Sequence, residues 1–170
     1  MPRKNDTYIL KKIYDSLCSK KSFDIMTVKE IADDVGIPRQ KFYDYFSCPE
    51  EMLLYYFETE KNSIVENMSF ELGTGNNISA VIKLSAQSPF MKKILQSKKY
   101  NHLVINKIDN FLYRRFFNIS NREIGADNVE ARYHSKAFTA MFIEYVLDND
   151  KDPEAFETFF RKSVINKLNL

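Results

Sequence analysis

Between Pro38 and Ser47 the chain sets out Arg39, Gln40, Lys41, Tyr43 and Tyr45, side chains whose chemistry suits a polynucleotide. A guanidinium such as that of Arg39, or the amine of Lys29 upstream, can donate to O6 and N7 of guanine. The Gln40 amide both donates and accepts, as N6 and N7 of adenine require. Phe42 and Phe46 lie four apart on one helical face, which leaves the polar residues between them facing outward. Such groups read DNA only if a rigid element carries them to a groove edge, and the preceding residues supply it. Thr27 and Glu30 form a T-x-x-E capping box that starts a helix. Ile31 and Val35 give that helix a buried face, and Ala32 is small enough to let a second helix cross close by. Gly36 stops it because glycine takes positive φ at low cost, and Pro38 starts the next helix with φ already set. A small residue, a glycine four later and an apolar residue six after that match the spacing of a DNA-binding helix-turn-helix.

In order and spacing, Thr27, Ile31-Ala32, Gly36-Ile37, Phe42-Tyr43, Tyr45-Phe46 and Glu50-Glu51-Met52-Leu53 resemble the N-terminal signature of the tetracycline-repressor (TetR) family of regulators. The resemblance covers residues 8–57, about a third of the chain. It implies base contacts from Arg39, Gln40 and Lys29, and phosphate contacts from Thr27, Lys41, Tyr43 and Tyr45. Two departures stand out. Cys48-Pro49 occupies the place of the family's Ser/Asn-Lys, so a phosphate-binding lysine is missing. Asp44 sets an acid between the two tyrosines, which repels phosphate unless it points away or accepts from a cytosine amino group.

Composition supports a helical chain. Four glycines and five prolines in 170 residues leave little turn chemistry for a sheet protein, so the expected class is all-α. The expected division is a helix-turn-helix DNA-binding domain over 1–48 and a helical effector-binding and dimerisation domain over 49–170. Through Ser47 there are nine Lys or Arg against seven Asp or Glu, and the remainder is neutral with sixteen of each. Phosphate attraction must then come from local placement rather than bulk charge. Cys18 and Cys48 lack paired spacing, which points to reduced thiols and a cytoplasmic location rather than a disulfide framework. No apolar run approaches a membrane span, and no signal-peptide core precedes Tyr8.

Periodicity predicts frayed residues 1–7, a first helix from Tyr8 to Lys20, and a long linking helix over 49–72 that Gly73 to Asn77 ends. A new unit begins near Ile78. Ser88-Pro89 opens a short helix, and further helices are expected over 101–117 and 129–147 and from Pro153 onward, with a loop over 118–128. The last two, apolar at Ala137, Phe138, Met141, Phe142 and Tyr145 and at Phe156, Phe159, Phe160, Val164 and Leu168, have wide apolar faces, which fits burial against another chain as well as an internal core. The family resemblance implies a homodimer through two C-terminal helices and an unknown small-molecule effector. The stretch 138–145 and Pro153 are similar to the dihydroxyacetone-kinase operon regulator subgroup. Phe57, Phe90, Phe111, Phe138 and Phe142 either line the effector pocket or pack as ordinary core.

His102 and His134 lie on different helices and could hold zinc only together with nearby acids; scattered histidines are more often surface or core residues, so no metal site or cofactor is expected. There is no glycine-rich phosphate loop and no nucleophile elbow, and the chain is not expected to be an enzyme. The resulting expectation is a ligand-responsive regulator, a repressor, binding a palindromic double-stranded DNA operator as a homodimer. The rival is a protein of the same fold that has lost specific DNA binding and keeps only an interaction role.

Overall fold

A computed structural model describes residues 4–69, 78–120, 129–148, 150–160 and 162. Among these residues all regular structure is helical, in the order α1 (Lys4–Ser19), α2 (Val28–Val35), α3 (Arg39–Tyr43), α4 (Pro49–Ser69), α5 (Ile78–Gln87), α6 (Pro89–Gln96), α7 (Asn101–Ser120), α8 (Val129–Leu147) and α9 (Pro153–Phe160). None of these helices is long and apolar enough to cross a membrane.

Local chemistry explains most of the boundaries. Ser88 caps α6 by accepting a hydrogen bond from Met91 N at 3.0 Å, and Pro89 follows where no backbone donor is needed. The Ser47 backbone N–H and hydroxyl both donate to Glu51, 2.7 and 2.5 Å, which fixes the entry to α4 ahead of Pro49. At ~1.5 Å per residue the 21 residues of α4 extend about 31 Å. The expected continuation of this helix to residue 72 and its Gly73–Asn77 ending lie outside the described residues. So do the side chain of Met68 and the segment from 163 to 170 that carries Val164 and Leu168.

Residues 4–7 depart from expectation. α1 begins at Lys4, with Asp6 in its first turn, rather than at Tyr8. An acidic side chain there complements the positive end of the helix, and Asp6 is also tied to a distant tyrosine, as described below. α7 likewise runs to Ser120 instead of ending near Phe117, so three residues expected as loop are helical.

Ile13, Leu17, Phe23, Ile31, Val35, Phe42, Phe46, Leu53 and Phe57 form one end of a continuous core that extends through Phe90, Ile94, Tyr100 and Val104 to Phe142, Val146 and Phe156. α1 packs on α2, α2 on α3, and α6 reaches back to α1. At the other end α7 and α8 make the most extensive helix pair, with α5 packed on α8 and α9. The buried face of α8 is Ala131, Ser135, Thr139, Phe142 and Val146. It is rotated from the apolar stripe expected at 137, 138, 141, 142 and 145: Ala137 is exposed, and two hydroxyl residues are buried instead.

Candidate nucleic-acid interface

The turn between α2 and α3 is built as its sequence requires. Thr27 has extended backbone (φ −120°, ψ 153°), and its Oγ1 accepts from Glu30 N at 3.2 Å while Glu30 accepts from Thr27 N at 2.8 Å. The Thr27 hydroxyl also donates to the Glu30 carboxylate at 2.9 Å, so it is committed to starting α2. These bonds hold the Glu30 carboxyl below its usual range. At the far end Gly36 lies at φ 74°, with its N–H bonded to Asp33 O and the Ile37 N–H bonded to Ala32 O at 3.0 Å, a Schellman arrangement. A Cβ on Gly36 would meet nothing within 4 Å. The glycine is needed for its backbone conformation, not for space.

α3 is a single short helix of five residues. Phe42 is fully buried and Phe46 nearly so, which fixes the orientation of the exposed side. Pro38 is the residue before the helix rather than its first residue. Arg39, Gln40, Lys41 and Tyr43 are exposed, as is Lys29 on α2. Arg39 Nη2 donates to the Tyr43 hydroxyl at 3.1 Å, and its guanidinium lies 5.7 Å from that ring's centre. The pair holds a long flexible side chain against an aromatic plate. Lys29 and Gln40 make no polar side-chain contact among the described residues.

Besides Thr27, two more of the expected phosphate contacts, Lys41 and Tyr45, are engaged within the protein. Lys41 Nζ pairs with Asp44 at 2.9 Å, and this hydrogen bond raises the lysine above its usual range. Tyr45 donates its hydroxyl to Asp6 Oδ1 on α1 at 2.9 Å; burial and then this bond push its phenol up. The sequence leaves Asp44 either pointing away or accepting from a cytosine amino group, and it places Asp6 in an end expected to fray. Asp44 lies three residues after Lys41, a spacing that could have signalled the pair. The Asp6–Tyr45 bond spans 39 residues, and no local pattern announces it.

The five phenylalanines assigned to an effector site fall in different surroundings. Phe57, Phe90 and Phe142 are buried in the core. Phe90 sits among Phe23, Tyr14 and Tyr56 at ring-centre distances of 5.5, 6.0 and 6.3 Å. Half-buried Phe138 packs on Phe156 at 5.2 Å, and half-buried Phe111 lies under the Lys61 amine. None of the five borders the open groove between α1 and α2, lined by Lys12, Ser16, Lys20 and Asp34, or the one along α9 at Ala155 and Phe159. The buried polar groups of this half are elsewhere. Asp109 accepts from Ser135 Oγ at 3.0 Å and pairs with Lys136 at 2.7 Å, and the buried Thr139 hydroxyl has no hydrogen-bond partner among the described residues.

His102 on α7 is exposed, and no three metal-ligating side chains gather among the described residues. Burial raises the Cys18 thiol above its usual range, which disfavours the reactive thiolate; both cysteines are free.

Comparison with known proteins finds similarity by sequence and by fold. The HTH-type dhaKLM operon transcriptional activator DhaS of Lactococcus lactis subsp. lactis (strain IL1403) is 26% identical over 111 residues, which is 64% of this chain and 59% of that protein. The match therefore spans less than two thirds of that relative's length. A solved structure of the dihydroxyacetone kinase operon activator DhaS has the same fold, with a TM-score of 0.60 at 21% identity over 96% of this chain and 95% of that one. No protein-family model matches the chain.

Proposed function

We propose that this chain is a DNA-binding transcription regulator rather than an enzyme. One observation carries the reading: a capped helix, a Schellman turn at Gly36 and a second helix seated by Phe42 and Phe46 present Lys29, Arg39, Gln40 and Tyr43 to solvent. Rigid delivery of such side chains is what direct readout of a major groove needs. Sequence similarity to a transcriptional activator supports the same reading. On this account Arg39, Gln40 and Lys29 contact base edges while Tyr43 grips phosphate, and Tyr45 braces α3 through Asp6.

The finer parts follow from the exposed surfaces. Val129 and Tyr133 on α8 and Phe159 on α9 are 78, 68 and 55% exposed, which supports a homodimer joined through these two helices. Two-fold symmetry then presents two reading helices to half-sites about one helical turn, ~34 Å, apart. The orphan hydroxyl of Thr139 beside Ser135 on the inner face of α8 supports a small effector held among α5, α7 and α8, with a polar group aimed at these residues. For the sign of control, the similar proteins are activators, which favours activation over the repression expected from the sequence.

The rival reading, an interaction protein without DNA binding, is favoured by the Asp44 and Asp6 carboxylates that occupy Lys41 and Tyr45. Selection of duplex sequences by the purified protein, followed by gel-shift at several salt concentrations, separates the two. A regulator enriches a partly palindromic sequence and releases it as salt rises. Failure to enrich any sequence supports the interaction protein.

A further inference from the structure

The loop between α1 and α2 is joined to the turn before α7 by a carboxylate that lies outside α2 and α3. Asp24 accepts backbone hydrogen bonds from Lys98 N at 3.2 Å and Lys99 N at 3.1 Å, and it accepts from the Ser97 hydroxyl. The same Ser97 oxygen accepts from Tyr100 N at 3.0 Å. Asp24 therefore gathers the backbone donors that precede α7 and lies three residues ahead of Thr27, which starts α2. These bonds hold its carboxyl below the usual range.

α6 is tied to the same unit at its other end. Its cap, Ser88, donates to Glu60 on α4 at 2.6 Å, and Glu60 also accepts from Tyr14 on α1. Between the two ends Phe90 packs on Phe23, the residue before Asp24, and the Lys93 amine donates to the Cys18 carbonyl. A shift of α6 or of the start of α7 is thus carried to the loop that sets the position of α2. At this end Asp24 collects three donors of the α6–α7 turn, from Ser97, Lys98 and Lys99.

We infer that Asp24 is a positioning residue that couples the C-terminal helices to the reading helices, transmitting effector state through the turn between α6 and α7. The inference rests on the regulator reading above. Coupling between two sites is reciprocal, so DNA itself can serve as the probe while the effector is unidentified. A purely structural Asp24 would change stability and leave the response to DNA intact.

The test is backbone hydrogen exchange of the full chain with and without the duplex selected by the wild-type protein, read at the α7 amides from Val104 to Asp109. The wild type should show exchange slowed about fivefold or more on binding. Asp24→Ala should bind the duplex yet show no slowing there, and Ser97→Ala, which removes the hydroxyl's bonds to Asp24 and to Tyr100 N but keeps both backbone bonds to Asp24, should show a reduced one. Should Asp24→Ala fail to fold, a reduced response in Ser97→Ala carries the proposal, and an undiminished one overturns it. The proposal is also overturned if Asp24→Ala binds and responds like the wild type. If the wild type selects no duplex at all, the regulator reading fails and the coupling falls with it; binding without any slowing in α7 sinks the coupling alone.

Discussion

At the scale of single residues, the candidate interface is ordered by side-chain pairings within the protein. Arg39 rests on Tyr43, Lys41 on Asp44 and Tyr45 on Asp6. The pairings divide the exposed positions into groups poised to read and groups that brace. Asp44→Asn should release Lys41 and remove a negative charge, so affinity for unrelated DNA rises and its salt dependence steepens, as a salt titration with a scrambled duplex would record. Tyr45→Phe loses the bond to Asp6 and should lower stability by roughly 0.5–1.5 kcal/mol in denaturant unfolding. It should weaken DNA binding less than Arg39→Ala does. Gly36→Ala meets no steric obstacle but forces a Cβ into the left-handed region, at a cost of about 1–2 kcal/mol in the same unfolding measurement.

Among the elements, those that carry their own instructions were legible in the sequence. α2 and its turn were readable because the Thr27–Glu30 box and Gly36 act within a few residues of themselves. α6 was readable from Ser88-Pro89, and the expected limits of α8, 129–147, match those observed. The face of α8 was not readable in the same way. Scoring apolar spacing selects the stripe through Ala137 and Met141, whereas the core accepts Ser135 because Asp109 on α7 satisfies it. Nor does helical spacing of phenylalanines tell a pocket wall from a packed core, since both need the same apolar side chain. The outward apolar residues of α8 and α9 have a direct consequence. A double change, Tyr133→Glu with Phe159→Glu, should shift the protein from dimer to monomer in sedimentation at micromolar concentration, and a monomeric wild type would contradict the interface.

For the molecule as a whole, the two halves are joined by long-range polar contacts that no local pattern predicts. Glu60 links α1, α4 and α6, and Asp24 links the α1–α2 loop to the turn between α6 and α7, across 73 to 75 residues of sequence in the latter case. Several carboxylates in these and neighbouring contacts are held below their usual range: Asp24 by Ser97, Asp34 by Lys20 and Ser16, Glu30 by Thr27, and Glu51 by Ser47. Because the folded values lie below the unfolded ones, protonation favours the unfolded chain. Their stabilisation is fully present above the ordinary carboxylate range and is lost as pH falls below about 4. Thermal unfolding followed from pH 6 down to pH 3 should show a steady fall in midpoint over the acid end.

The central claim is that α2 and α3 read DNA, and the most direct measurement compares wild type with Arg39→Ala on a set of duplexes, each varied at one position of the selected sequence. The account predicts sequence-dependent, salt-sensitive binding by the wild type. It also predicts a loss of about 1–3 kcal/mol in the variant, with discrimination relaxed at one position in each half-site. Equal binding by both proteins, or no discrimination by either, would contradict it.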